Sequence, residues 1–280
     1  MPNLRITLFP AWLLLALGLL FSACSTTQDE TNDEFSAWTA EQFYREAKDA
    51  LLEKRYEKAT KLYEKLEARY PFGKYATQAQ LDVAYAYYKN DEPDSAIAAA
   101  DRFIKLNPAH PHVDYAYYIK GLVNYNRGIG FIDRFIPTDS SQRDPGATLD
   151  SYKDFEELLR RFPNSRYAED SRKRIIALRN NLAMYEIHVA DFSMRRGAYL
   201  AAARRCAEVI RKYQRTQAVP VALEIMEQAY RKLGMNPLAD DVKRVYEINY
   251  AQGAPGQAAK DVNYDPSVVE KAWKFIGLEE

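Results

Sequence analysis

Small residues return along this chain at one fixed spacing. Ala47, Ala84 and Gly121 follow one another at intervals of 37 residues, Ala59 and Ala96 are 37 apart, and so are Pro71 and Pro108. Ala202 and Ala239 repeat the same interval further on. A side chain of one carbon or none is required where two helices cross closely, and proline ends a helix. Self-similarity at this period marks an array of helix pairs, each burying its apolar face against its neighbours. In the first two units the proline lies 24 residues after the leading small residue, so the helix pair has constant length and any variation falls in the connections. The expectation is an all-α solenoid.

Val83–Pro108 shows the unit most fully. Val83-Ala84-x-x-Tyr87 occupies one helix, Ala96-x-x-x-Ala100 the next, and Pro108 closes the pair. This order resembles the tetratricopeptide (TPR) pattern L-G-x-x-Y … A-x-x-x-F … P, with Ala84 in place of Gly and Ala100 in place of the large aromatic. The resemblance implies a right-handed TPR solenoid of about five helix pairs.

Unit one spans Thr39–Pro71, with Phe43, Ala47, Ala59, Tyr63 and Leu66 inward, and unit two runs from about Tyr75 to Pro108. Unit three starts near Val113 with Tyr117 and Gly121, but Gly121 and Pro163 are 42 residues apart. The excess places an inserted loop at 127–147, after which Phe155, Leu158 and Pro163 complete the unit. Phe131, Ile132, Phe135 and Ile136 make that loop more apolar than a solvated connection; long loops in repeat proteins are either tucked against the array or used for partners. Tyr167–Asn181 reads as a helix continuing into a long first helix of unit four, and Tyr230, Gly234 and Ala239 mark unit five. The N-terminal units thus cover 39–126, the C-terminal units 148–250, and an extension 251–280 includes a possible short closing helix over Asp265–Leu278.

The first 23 residues stand outside the array. Arg5, the apolar run Ile6–Leu20 and the small residues Ser22 and Ala23 before Cys24 read as a signal peptide, 1–23, too short in its apolar part to span a bilayer. Leu20-Phe21-Ser22-Ala23-Cys24 resembles a bacterial lipobox, which implies a covalent lipid on Cys24; Ser25 rather than Asp after it favours export to the outer membrane. Residues 24–38 are acidic and aperiodic, a tether between lipid and fold. With Cys24 acylated, Cys206 has no disulfide partner, and its position four residues after Ala202 points it inward as a buried thiol.

No enzyme constellation is present. The three histidines, His110, His112 and His188, lack metal-ligand spacing, and no P-loop, nucleophile elbow or dinucleotide fingerprint occurs. Catalytic residues, metal and cofactor are therefore expected to be none. Lysine plus arginine equals aspartate plus glutamate at 39 each, which leaves no basic signature for nucleic acid. Two surface features remain. Helix geometry places Tyr44, Tyr85, Tyr88, Tyr115, Tyr118 and Tyr125 on one stripe offset from the packing face, where a TPR array has its concave groove. An aromatic-lined groove suits an extended peptide. Leu158–Arg215 carries 14 Lys/Arg against 5 Asp/Glu, and Arg196 and Arg205 in it are candidates for docking an acidic partner.

Several stretches are more specific than a generic repeat: Tyr70-Pro71-Phe72-Gly73, Ala84-Tyr85-Ala86-Tyr87-Tyr88-Lys89-Asn90, Asp101-Arg102-Phe103-Ile104, Leu106-Asn107-Pro108, His110-Pro111, Arg143-Asp144-Pro145 and Phe162-Pro163-Asn164-Ser165. Together they resemble the BamD (ComL/YfiO) family, lipoprotein subunits of the outer-membrane β-barrel assembly (BAM) machine. The insert Ile129–Ser141 and the tail beyond about Ala251 depart from that family. The resemblance implies a lipid-anchored protein at the periplasmic face of the outer membrane. Its N-terminal half would receive C-terminal signals of unfolded β-barrel precursors. Its C-terminal half would dock on the POTRA domains of BamA, alongside other BAM lipoproteins. A TPR lipoprotein scaffold for cell-envelope or division enzymes is the alternative.

The anchor is directly testable. Intact-mass measurement of the mature protein should find Cys24 as the first residue with added acyl mass, since two or more chains are needed for stable attachment. An unmodified terminus elsewhere would refute the lipobox assignment.

Overall fold

The computed structural model describes residues 35–127, 141 and 144–250. The signal peptide, Cys24, most of the tether, nearly all of the insert and the extension 251–280 lie outside the described residues. What is described is helical throughout. The elements are α1 (Ala40–Leu52), α2 (Tyr56–Arg69), α3 (Lys74–Lys89), α4 (Pro93–Leu106), α5 (Val113–Arg127), α6 (Gly146–Arg161), α7 (Ala168–Arg195), α8 (Tyr199–Lys212), α9 (Ala218–Lys232) and α10 (Asn236–Tyr250). They form five pairs in the expected order.

The helix ends follow from local chemistry that recurs with the repeat. Tyr70, Asn107 and Phe162 each precede a proline, which excludes the helical region for that residue. Their dihedrals are nearly identical, φ/ψ −129/72, −130/54 and −131/64, and each N–H still donates to the carbonyl four residues back. Inside a pair the turn requires one left-handed residue. Lys54, Asp91, Gly197 and Gly234 fill it with φ of 61°, 62°, 72° and 73°. Lys54 and Asp91 are 37 residues apart, as are Gly197 and Gly234, so the turn keeps the period even where glycine is absent. α4 begins at Pro93, whose missing N–H would be unpaired there in any case.

Every helix packs on the next in sequence. The first helices of neighbouring units also touch, α1 on α3, α3 on α5 and α7 on α9. That second set is what makes an array rather than a chain of separate hairpins. The recurring small residues sit inside it: Ala47, Ala59, Ala84, Ala96, Ala202 and Ala239 are all wholly buried. Phe43, Tyr63, Leu66, Phe103, Phe155 and Leu158 fill the spaces between pairs. Toward the C-terminus, Ala190, Cys206, Val209, Ala222, Leu223 and Val242 form one cluster across α7, α8, α9 and α10. α7 is 28 residues long, as its uninterrupted pattern predicts. Among the described residues no helix is long and apolar enough to cross a membrane.

Two experiments test this packing. A Cβ added at Gly121 would meet the ring of Phe155 at 2.5 Å. Gly121→Ala gains roughly 1 kcal/mol of helix propensity in an open helix, whereas overpacking costs about 1–3 kcal/mol. A lowered denaturation midpoint, partly restored by Phe155→Leu, is the expected result; a raised midpoint would show that the crossing is loose. Cys206 is wholly buried and its thiol is pushed up to about 12 by that burial. It should resist thiol reagents in the native state and react only as the C-terminal pairs open.

Candidate functional site

The contact between first helices opens a cleft of about 590 Å³ on the N-terminal half. α1 contributes Lys48, Leu51 and Leu52, α3 contributes Gln78, Asp82 and Tyr85, and α5 contributes Tyr115. Tyr56 enters from the start of α2, while Arg166 and Tyr167 come from the connection before α7.

Asp82 forms the floor. It is only 7% exposed, although it stands in the apolar run Leu81-Asp82-Val83-Ala84. Three donors satisfy it: Tyr44 Oη at 2.9 Å and Lys48 Nζ at 3.3 Å on Oδ2, and Gln78 Nε2 at 3.0 Å on Oδ1. A buried carboxylate held this way is a fixed feature of the fold, because removing a donor would leave a charge without compensation. Burial, and then the charge of Asp82, push the Tyr44 phenol well above its ordinary value, and Tyr63 behind it is raised for the same two reasons. Both phenols stay neutral.

The far wall is aromatic. Tyr115 stacks on Tyr167 at 5.3 Å between ring centroids, and Tyr118 stacks on the same ring at 4.5 Å. The Arg166 guanidinium lies 4.8 Å from the Tyr167 centroid, so the wall carries a cation at its edge. Lys48, Lys54 and Arg166 face the cleft against Asp82 alone, which Lys48 already pairs. The net field therefore favours a ligand carrying a carboxylate.

The six tyrosines expected on one stripe divide. All are half-buried, but only Tyr85 and Tyr115 line the cleft. Tyr44 lies beneath it, on Asp82, with its ring 5.6 Å from that of Tyr75. Tyr88 accepts a hydrogen bond from Asn126. Tyr118 donates to Asp170 at 2.7 Å, and Tyr125 lies under the Arg174 guanidinium at 4.8 Å. Asp170 and Arg174 belong to the first turns of α7 and pair with each other at 2.6 Å. This helix start covers the C-terminal part of the stripe. Tyr167, Tyr56, Arg166, Lys48 and Asp82 belong to the site without having been singled out from the sequence. Only Asp82 carried a signal, as a lone charge inside an apolar helical run.

The basic stretch also resolves into distinct roles. Arg205 pairs with Glu186 at 2.9 Å, whereas Arg196 is exposed with its guanidinium 5.5 Å from the Phe192 ring. Arg160, Arg161, Arg174, Arg195, Arg211 and Lys212 are all matched by carboxylates on their own helices. These six cations share four carboxylates, so most of them are locally paired while the stretch keeps a positive excess. Among the described residues no group of His, Cys, Asp or Glu is placed to hold a metal ion.

Comparison with known proteins gives a consistent picture. The sequence model of the YfiO family, described as outer membrane lipoprotein, matches residues 36–245. An outer membrane protein assembly factor BamD from Neisseria meningitidis serogroup A is 47% identical over 240 residues, covering 85% of this chain and 90% of the relative. The Vibrio cholerae BamD is 40% identical over 236 residues, with 84% and 96% covered. The Xylella fastidiosa BamD (strain 9a5c) is 34% identical over 265 residues, with 95% and 89% covered. Among solved structures, the MamA protein aligns at 16% identity and a TM-score of 0.29, over 74% of this chain and 90% of its own. A match of these dimensions, spanning both the cleft and the C-terminal pairs, means that this chain belongs to the BamD (YfiO) family of outer membrane lipoproteins.

Proposed function

We propose that this chain is the lipid-anchored assembly factor of an outer-membrane β-barrel assembly complex, receiving the C-termini of unfolded barrel precursors in the cleft between α1, α3 and α5. The observation that carries this reading is the pairing of an aromatic wall with a cationic edge. Tyr85, Tyr115 and Tyr167 offer flat apolar faces, and Lys54 and Arg166 offer charge, in one cleft about the size of a short peptide's end. A precursor strand ending in an aromatic residue presents both a ring and a terminal carboxylate. Each aromatic contact adds about 0.5–1.5 kcal/mol beyond area burial, enough for reversible capture and release. The C-terminal pairs α7–α10 then serve for docking on BamA, with other BAM lipoproteins alongside. Arg196 supplies a charge at that surface that no carboxylate of α7 neutralises, beside Phe192, which is 51% exposed.

Titration of a labelled C-terminal peptide tests the cleft. Tyr85→Ala with Arg166→Gln should weaken binding by about tenfold or more, the equivalent of 1.4 kcal/mol. The same peptide with a carboxamide end should lose part of its affinity for the wild-type protein and a smaller part for Arg166→Gln, where Lys54 alone remains to meet the carboxylate. Tyr118→Phe, which loses only the bond to Asp170, should lower stability and leave affinity unchanged. Equal affinities for all proteins would remove the cleft from the mechanism.

The docking face separates by residue. Arg196→Glu should reduce co-purification of BamA while the circular dichroism stays native. Arg205→Glu sets a second carboxylate against Glu186 and should lower the melting temperature as well. Unchanged co-purification with Arg196→Glu would place the interface elsewhere.

A further inference from the structure

The last helix of the array is left with an uncovered apolar stripe. α10 buries only Ala239 and Val242 fully, while Leu238, Val245 and Ile248 are 46%, 45% and 75% exposed. At 100° per residue these three fall within about 80° of arc, on one side of the helix. Asp241 falls within that arc, between Val245 and Ile248, and is paired with Arg244 at its border, so the one charge in the stripe is matched on its own helix. A repeat array needs a polar outer face on its terminal unit, because no further repeat covers it. α10 instead leaves three large apolar side chains exposed among its charged ones.

The chain that follows has the features such a cover needs. Asp265-Pro266 is a helix-start signal, cap residue followed by proline at the first position. From there Val268, Val269, Ala272, Trp273, Phe275 and Ile276 fall within about 160° of a helical projection, with Glu270, Lys271 and Lys274 opposite. Residues 251–264 join it to α10 and include Gly253, Pro255 and Gly256, which suit a reversal of direction. Fourteen residues reach up to about 46 Å, whereas α10, at 15 residues, is about 22 Å long. The segment can therefore fold back along the whole stripe, and its covalent link gives it a local concentration that a separate partner would not have.

We propose that Asp265–Leu278 closes the array by laying its apolar face, with Trp273 near the centre, on Leu238, Val245 and Ile248 of α10. This cap is intramolecular, and it stands apart from the cleft reading, which concerns the other end of the chain.

Trp273 reports on the contact. In the full-length protein with Trp12→Phe and Trp38→Phe it is the sole tryptophan. Its emission should be blue-shifted and its quenching by acrylamide at least about threefold weaker than in a free peptide of residues 258–280, as an indole set in an apolar contact requires. Ile248→Asp with Leu238→Asp should return both readings to the free-peptide values, with the melting temperature of the earlier helices unchanged because both side chains are exposed. Val269→Asp with Ile276→Asp should do the same from the segment's side, where no solenoid packing is touched. Protection should not change with dilution. Free-peptide values in the unmutated protein, or protection that survives both pairs of substitutions, would overturn the proposal. Protection that fades on dilution would overturn it in favour of docking between two copies.

Discussion

The close approach of the two helices within each pair is the constraint on which the rest of the structure depends. It requires a side chain of no more than one carbon at each crossing, and Ala47, Ala84 and Gly121 supply it in turn. Gly121 on α5 shows how tight it is, since the Phe155 ring of α6, its partner in the pair, occupies the space a Cβ would need. An aromatic ring seated directly on the helix backbone leaves no room for a Cβ. With each pair held this close, the first helices of neighbouring pairs also touch, and their exposed edges line a common cleft. Lys48, Asp82 and Tyr115, from three successive first helices, share one site for this reason.

The cleft uses its polar groups sparingly. Asp82 could repel a carboxylate, but Lys48 neutralises it and Tyr44 and Gln78 take the remaining acceptor sites. What the open space meets is then mainly ring faces and the cations Lys54 and Arg166. A surface of that kind holds a chain end through stacking and one charge contact, without reading each side chain. Such binding tolerates many different chains that share only an aromatic end, which fits a receptor for a whole class of precursors.

α7 decides how far the cleft extends. Its first turns bring Asp170 and Arg174 over Tyr118 and Tyr125, converting a potential lining into an interface between units three and four. The same connection delivers Arg166 and Tyr167 to the open side. Arg174 is nearly buried and is held by both a carboxylate and an aromatic ring, so it binds the two halves of the array together at this point. The inserted length before α6 leaves this arrangement intact, because Phe155 and Leu158 still reach their places in the core.

The five helix pairs, their small residues, their proline stops and the inward Cys206 were legible in the sequence by itself. Each is a short-range rule repeated at one period: a missing Cβ, a forbidden dihedral before proline, an apolar stripe at helical spacing. The left-handed turns at Lys54 and Asp91 keep that period without the glycine that would have announced them. Which tyrosines face open space was not legible. A helical projection separates a packing face from its neighbour stripe, but it does not say whether a helix from the next unit will cover that stripe. Tyr85 and Tyr118 occupy equivalent-looking positions, and one lines the cleft while the other donates to Asp170, 52 residues away. Burial of that kind is settled by how long α7 is and where it starts, a property of two units packed together that no single unit contains. The same holds for Arg205, whose charge was plain in the sequence while its partner Glu186 lies on the preceding helix.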